Sequence, residues 1–590
     1  MKDIDNYDVL DYQLADLLVE LNHDKNKQLY QTILDSSKHA REGCIALSCE
    51  PEQADALIKT KVVGETNALK PLIIDNGFIY LRRYWAYQQR LAEQINQRLH
   101  NNIEQLDMPW AKNRLQHYFA QDHADNEVNW QQIAAALALS ARFLIISGGP
   151  GTGKTTTITR ILALLIEQNN QQDNTKKLRF SLAAPTGKAA MRMSEAIRDS
   201  VQREQDKLSD NVIEQLPKEA STIHRLLGYI PHSTEFRFNK NNLLATDIVV
   251  IDEASMIDLA LMTKLFEAIP PQAKVILLGD KDQLSSVETG SVFTDLCATA
   301  DNSYSAEIQA YLHALTDDKI DNNSRESSAI NNHIICLQKS WRFNESSGIG
   351  QLASAINKGE TANSLSILAS DKFSDVELIL PSKFTYNHLL SSWDHYLQTV
   401  KPLRANNDIA NHLDDLFINF NHFRILTALR KGMNGCSYLN TQLEKQLLQQ
   451  NKLNTRQRWY HGRPIMISEN SYRTGLFNGD IGITLIDEKG QAKVWFQSKE
   501  GAKAYSPVRL PQHETAWAST IHKSQGSEFD KVLMILPTED TAVLSQQLIY
   551  TGVTRAKQQL VLVSNEIVLK LGIERKTPQA TQIQNALKNR

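Results

Sequence analysis

Residues 143–167 read FLIISGGPGTGKTTTITRILALLIE, and this stretch decides the fold. Phe143–Ser147 is a short apolar run, which predicts a strand buried on both faces. Gly148-Gly149-Pro150-Gly151-Thr152-Gly153-Lys154-Thr155 follows with the spacing G-x-x-x-x-G-K-[ST], and Thr156 continues it. Such glycines let successive backbone N–H groups point into one cavity at a helix N-terminus, where they cradle phosphate oxygens. Lys154 would neutralise β/γ-phosphate charge, and the Thr155 hydroxyl would ligate Mg²⁺. The bland alternative is a glycine-rich β–α turn without a ligand. The buried strand before it and the helical TTITRILALLIE after it argue for the phosphate loop.

Outward from this loop the same pattern recurs. Phe180–Ala184, Ile248–Ile251, Val275–Leu278 and Ile334–Leu337 read as further doubly buried strands separated by helix-like stretches, which predicts a parallel α/β sheet. Phe423–Ala428, Val532–Leu536 and Leu560–Val563 form a second set. The Ile248 strand ends in Asp252-Glu253. That placement puts Asp252 near a phosphate-bound metal and Glu253 where it can polarise an attacking water. Two adjacent carboxylates could instead cap the next helix. The Val275 strand ends Gly279-Asp280-Lys281-Asp282-Gln283, and Gln283 is the candidate to touch a γ-phosphate.

Composition bounds the rest. A chain of 590 residues predicts roughly four domains at about 150 residues each. Hydrophobic residues at 42% and charged residues at 22% exclude collagen-like, disulfide-scaffold and wholly disordered classes. The five cysteines form no C-x-x-C pair, so no zinc or iron–sulfur motif is read and a reducing cytoplasm is expected. No run approaches the ~18 apolar residues that span a bilayer. The N-terminus MKDIDNYDVLDYQL lacks an apolar signal core. With a net charge of −3, any DNA would have to be bound in a local groove.

Residues 1–110 carry 12 basic and 17 acidic side chains and so differ from the remainder. Leu10, Leu14, Leu17, Leu18 and Leu21, and then Leu91, Ile95 and Leu99, have helical spacing, so a mainly helical module is expected there. Residues 301–332 are polar and read as a surface insertion. Residues 463–510 alternate short strands with turns such as 478–480 (NGD) and 488–490 (EKG), which predicts a small inserted β-barrel. The chain ends basic, which fits either a solvated tail or a partner contact.

Taken together, the ordered motifs resemble those of superfamily 1 helicases. They are GGPGTGKTTT, APTGKAA (184–190), TIHRLLG (222–228), VVIDEAS (249–255), GDKDQLSSVETGSVF (279–293), SWRF (340–343), ASTIHKSQGSEFD (518–530) and IYTGVTRAKQQL (549–560). They run from about residue 130 to 560. GGPGTGKTTT, SVETGSVF and HKSQGSEFD resemble more narrowly the RecD family, the α subunits of exodeoxyribonuclease V. The resemblance implies an ATP-dependent 5′→3′ DNA helicase subunit, using ATP and Mg²⁺ within a complex with RecB and RecC, in double-strand break repair and recombination. It also implies roles for further residues. Gln131, with Gln132 as the adjacent alternative, would read adenine. Arg342 and Arg555 would reach across a cleft to the γ-phosphate, where a guanidinium fork suits developing phosphoryl charge. Thr186, Lys188, His224, Thr520, His522 and Lys523 would hold a DNA strand through its backbone. His224 is as easily a core histidine, and Trp341 and Trp517 are as easily core as base-stacking.

The expected fold class is therefore α/β, with two RecA-like P-loop parallel-sheet domains. A helical partner-docking domain spans 1–110, motor domain 1 spans 111–340 and motor domain 2 spans 341–590, with an SH3-like barrel inserted at about 455–512. No Asp…Glu-x-Lys cluster is read, so strand cutting would belong to a partner. Two alternatives are a stand-alone helicase of the same kind and a P-loop scaffold that binds nucleotide but moves nothing.

Overall fold

The computed structural model of the chain describes all residues except 1–6, 25, 67, 101–102, 104–105, 120–126, 172–175, 286–288, 321–327, 344–345, 386–389, 391, 406–411, 472, 499–500 and 589–590. The first 100 residues pack helices α1 (Val9–Asn22), α2 (Lys27–Arg41), α3 (Pro51–Ile58) and α4 (Arg82–Asn96) around four short strands. These are β1 (Ala46–Ser48), β2 (Val63–Gly64), β3 (Leu72–Asp75) and β4 (Phe78–Leu81), in the order β1-β4-β3-β2. The region is thus helical but also carries a sheet. Asn76-Gly77, both at positive φ, make the tight β3–β4 hairpin turn.

The leucine face expected on α1 is divided. Leu18 is buried in the N-terminal core and Leu14 packs against it, whereas Leu10, Leu17 and Leu21 are 65%, 53% and 50% exposed. Leu91 and Ile95 of α4 are fully buried, but in a different core, together with Val249, Leu265 and Phe266. Arg98 fixes this packing by donating to the carbonyls of Ile269 and Pro270, at 2.9 and 3.0 Å.

The phosphate-loop strand lies inside a six-stranded parallel sheet. Its members are β5 (Phe143–Gly148), β6 (Phe180–Ala184), β7 (Ser221–Thr222), β8 (Ile248–Ile251), β9 (Lys274–Gly279) and β10 (Ile334–Leu337), in the order β10-β5-β9-β8-β6-β7. Alternate residues serve two cores. Leu144, Ile146, Val250, Ile276 and Leu278 face α6 (Trp130–Ser140), α7 (Lys154–Gln171) and α8 (Gly187–Arg203). Phe143, Ile145, Val249, Ile251 and Leu277 face α4 and the helix Leu259–Ala268. Register brings Ser147 beside Gly279, and Ile251 beside Leu277 and Ala183. The loops that follow β5, β6, β8 and β9 therefore open along one edge.

The polar stretch 301–332 is not wholly a surface insertion. Ala306–Thr316 is a helix, and Ile308, Tyr311, Leu312 and Leu315 are buried against the motor core. The Tyr311 hydroxyl donates to the Ala136 carbonyl at 2.8 Å. An i, i+3, i+4, i+7 face lies within a polar composition, and burying that face outweighs the polarity of the rest.

The second parallel sheet contains β11 (Val376–Ile379), β12 (Phe423–Thr427), β18 (Ala518–Thr520), β19 (Phe529–Ile535) and β20 (Ala556–Val563), in the order β11-β20-β19-β12-β18. Between β12 and β18 lies a five-stranded antiparallel sheet. It comprises β13 (Pro464–Ile467), β14 (Ile481–Ile486), β15 (Ala492–Phe496), β16 (Lys503–Tyr505) and β17 (His513–Thr515), with β16 and β17 at its edges. Gly482 is required where Phe496 crosses β14, since a Cβ there would come within 2.5 Å of the ring.

The basic C-terminus is neither loose nor remote. After the second sheet the chain returns to the N-terminal module and the first motor, and the Ile45 N–H of the module donates to the Ala580 carbonyl at 2.8 Å. The Thr581 N–H and hydroxyl both donate to Asp295 Oδ2 at 2.6 Å. Burial pushes the Asp295 carboxyl up to about 7 despite these two bonds. The helix Ile583–Lys588 then packs on α4, with Ile583 fully buried.

Candidate nucleotide site

The strand edge of the first sheet and the segments that lead into β19 and β20 of the second line a cavity of about 790 Å³. β5 ends at Gly148, and the loop turns through Gly151 and Gly153 at φ +77° and +83°, conformations in which glycine carries no steric penalty. Pro150 to Thr156 line the cavity. Lys154 opens α7 and donates to the Gly149 carbonyl at 3.1 Å and also to that of Gly148. Its ammonium is therefore held over the loop, where the helix N-terminus adds positive potential. The Gln131 amide donates to the Thr152 carbonyl at 3.2 Å and, like Trp341, lies against Gly153. Of the adjacent pair, Gln131 reaches the loop, while Gln132 is buried within α6.

Asp252 and Glu253 follow β8 into the cavity. Burial pushes both carboxyls up. Lys154 opposes this at Asp252, whereas at Glu253 the neighbouring Asp252 raises the carboxyl further and Arg555 opposes the rise. Glu253 is at φ +52°, a left-handed conformation unusual for a residue with a side chain. It begins the short turn Ala254–Met256 without a side-chain capping bond, and the helix Leu259–Ala268 that follows is capped by Asp258. The Gln283 amide donates to Asp280 Oδ2 at 2.8 Å and lines the same space. Burial pushes the Asp280 carboxyl up to about 6.

From the other side come Gly526, Glu528 and Arg555, and from the connecting segment come Trp341 and Arg342. Arg342 Nη2 pairs with Glu528 at 2.7 Å, while Arg342 Nη1 is buried without a hydrogen-bond partner among the described residues. An orphan guanidinium donor lining a phosphate-type loop fits an anionic acceptor. Arg555 is buried and donates to the carbonyls of Thr551 and Ser527, at 3.0 and 3.1 Å. Arg192 of α8, which the sequence reading missed, also lines the cavity and faces Glu528 and Glu253. Its signal was the i+4 spacing from Lys188, which turns both side chains the same way.

The six residues expected at DNA are not gathered in this way. Thr186 Oγ1 accepts from the Ala189 N–H as the cap of α8. Lys188 is pushed down to about 7 by burial and by Arg192 and Arg424, with Asp480 of the inserted sheet opposing. His224 packs edge-on to Phe236, and burial lowers it. Thr520 ends β18 and accepts from the Lys523 N–H at 3.4 Å. Lys523 is ion-paired to Glu514 at 2.6 Å, and burial lowers His522. Trp517 is fully buried and donates to the Tyr460 hydroxyl, whereas Trp341 is 55% exposed at the cavity.

Comparison with known proteins finds helicase families and subunits. An AAA domain family matches residues 131–289, and a UvrD-like helicase C-terminal domain family matches residues 515–563. The RecBCD enzyme subunit RecD of Haemophilus influenzae is 38% identical over 86% of this chain and 80% of that protein. The corresponding subunit of Mycolicibacterium smegmatis is 33% identical over 90% of this chain and 86% of its own length. An ATP-dependent RecD2 DNA helicase of Deinococcus radiodurans is 28% identical, with 46% of its length covered. A solved Pif1 helicase from Bacteroides, in complex with ADP-AlF3 and ssDNA, is 18% identical over 76% of this chain and 94% of that one, with a TM-score of 0.37.

Proposed function

The chain belongs to the RecD family of RecBCD subunits, and from this premise we propose that it is an ATP-driven DNA helicase subunit that moves 5′→3′ along one strand. The observation that carries the mechanism is that one cavity is lined from both motors. Lys154 and Glu253 come from the first, Arg555 from the second, and Arg342 from the segment joining them. Hydrolysis then depends on the two sheets being closed on each other, and release of product frees them to move.

In this reading Lys154 and the loop N–H groups bind the phosphates, Glu253 orients the attacking water, and Arg342 and Arg555 meet the charge that develops on the transferred phosphoryl group. The Thr155 hydroxyl and the Asp252 carboxylate, both facing the cavity, are the donors that fit Mg²⁺, which keeps most of its shell as water and phosphate oxygen. When bound there, the ion would supply positive charge that offsets that of the phosphates. Thr186, Lys188, His224, Thr520, His522 and Lys523 stand at the ends of β6, β7 and β18 or in the first turn that follows each, and we read them as backbone contacts to the strand. We read the inserted antiparallel sheet as a small SH3-like barrel. A duplex with only a 5′ single-stranded tail is expected to be unwound by the chain with ATP, and one with only a 3′ tail is not. Equal unwinding of both would overturn the direction.

We read the N-terminal module as the docking face for RecB and RecC. Leu10, Leu17 and Leu21 support this, because they leave an apolar stripe on solvent after the module's own core is complete. Changing these three to Asp is expected to abolish co-purification with RecB and RecC while single-strand-stimulated ATPase activity persists. Undiminished assembly would place docking elsewhere.

A further inference from the structure

The segment Asp280–Leu284 emerges from the first motor, yet its end is built into the second. The Leu284 side chain belongs to the second motor's apolar core, with Leu352, Met534 and Leu548. Its N–H donates to Thr551 Oγ1 at 2.8 Å, and its carbonyl accepts from the Gln525 amide at 2.7 Å. One turn earlier, Asp280 Oδ2 accepts two donors, the Gln283 amide at 2.8 Å and the Tyr550 hydroxyl at 3.2 Å. Asp280, Gln283, Leu284, Tyr550 and Thr551 are all buried. The phenol also lies against the phosphate loop, since a Cβ on Gly149 would come within 2.9 Å of it.

Gln283 is therefore held from both sides. Its amide is fixed by a carboxylate that Tyr550 shares, and the next residue is a plug in the opposite motor. Tyr550 and Thr551 stand on the helix Gln546–Val553, and Arg555 follows it and donates back to the Thr551 carbonyl. One helix thus sets the position of the glutamine on one side of the cavity and the arginine on the other.

We propose that Tyr550, together with Thr551 and Gln525, is a positioning clamp through which the second motor aligns Gln283, so that turnover is matched to domain closure. This rests on the ATP-site reading above and extends it to residues that touch no phosphate. A hydroxyl shared with Asp280 restricts which way that carboxylate, and hence the Gln283 amide, can face. Loss of the hydroxyl leaves the glutamine free to rotate away from the γ-phosphate position, while the ring stays in place, and the bond removed is to Asp280 and not to the loop that binds ATP.

The test is steady-state ATPase of the full chain with single-stranded DNA. Tyr550→Phe is expected to lower kcat by about tenfold with KM for ATP within about twofold, the pattern of a contact made in the transition state. Thr551→Val, which leaves the Leu284 N–H without its acceptor, should show the same split, and Thr551→Ser should restore turnover. Because the clamp acts through Gln283, Tyr550→Phe added to Gln283→Ala should cost nothing further. Wild-type kcat in Tyr550→Phe, or losses that multiply in the double variant, would overturn the clamp. Lys154→Gln measured alongside separates the two readings. If it is dead while Tyr550→Phe keeps wild-type turnover, the clamp alone fails. If turnover survives Lys154→Gln, the ATP-site reading fails and the clamp with it.

Discussion

Lys154→Gln is expected to abolish ATP hydrolysis, with and without DNA, while the chain stays folded. The ammonium lines the cavity and, among the described residues, bonds to carbonyls of its own loop, those of Gly148 and Gly149. No core contact is lost, because the residue opens α7 and the buried residues of that helix begin at Thr157. What is lost is the one charged donor at the loop's centre. Removing a single preorganised donor to developing oxyanion charge lowers turnover by about 10²–10³-fold. Here the donor also counters the phosphates' ground-state charge, so ATP binding weakens as well. Steady-state hydrolysis read beside a thermal melt checks both halves. Full activity in the variant would sink the phosphate-loop assignment.

That residue was legible in the sequence because its whole context is local. A strand buried on both faces reads as an unbroken apolar run, and the loop after it needs glycine at fixed offsets. The same held for β6, β8, β9 and β12, and for Asp252-Glu253 at the end of a four-residue strand. Other features were visible but outweighed. Asn76-Gly77 between LIID and FIYL is a hairpin signal, yet strands of two to four residues drown among four helices. The helix Ala306–Thr316 hid its apolar face in a polar stretch.

What could not be read locally was closure. Glu528 and Tyr550 reach the site only because two sheets face each other, and 270 residues separate Tyr550 from Asp280. The return of Thr581 to Asp295 is likewise a tertiary fact, set by a buried carboxyl rather than by any pattern in the tail. Sequence spacing names the groups that act along one strand end. It is silent on which groups from the other motor oppose them.

Glu253→Gln is the second large effect, and it separates binding from chemistry. The side chain keeps its volume and its amide can occupy the same space, so nucleotide should still bind. The carboxylate is removed, and with it the group that accepts or orients the proton of the attacking water. General-base contributions of this kind are worth about 10²–10⁴-fold. The backbone supports the assignment independently of the motif. A left-handed φ in a residue with a side chain costs on the order of 1 kcal/mol and persists only where the surroundings impose it. Here buried β8 fixes one side, the turn Ala254–Met256 fixes the other, and the Glu253 N–H is tied to Asp252 Oδ1 at 2.8 Å. The strain turns the side chain into the cavity, toward Gly526 of the opposite motor and under the influence of Arg555. A structural glutamate would gain nothing from that placement. Nucleotide binding by equilibrium titration, set against single-turnover hydrolysis, reads the two quantities apart. Retained affinity with turnover lowered at least about 10²-fold is the expected result. Unchanged turnover would make Glu253 a structural residue and move the base elsewhere in the cavity, which Glu195, Asp199, Asp252, Asp280 and Glu528 also line.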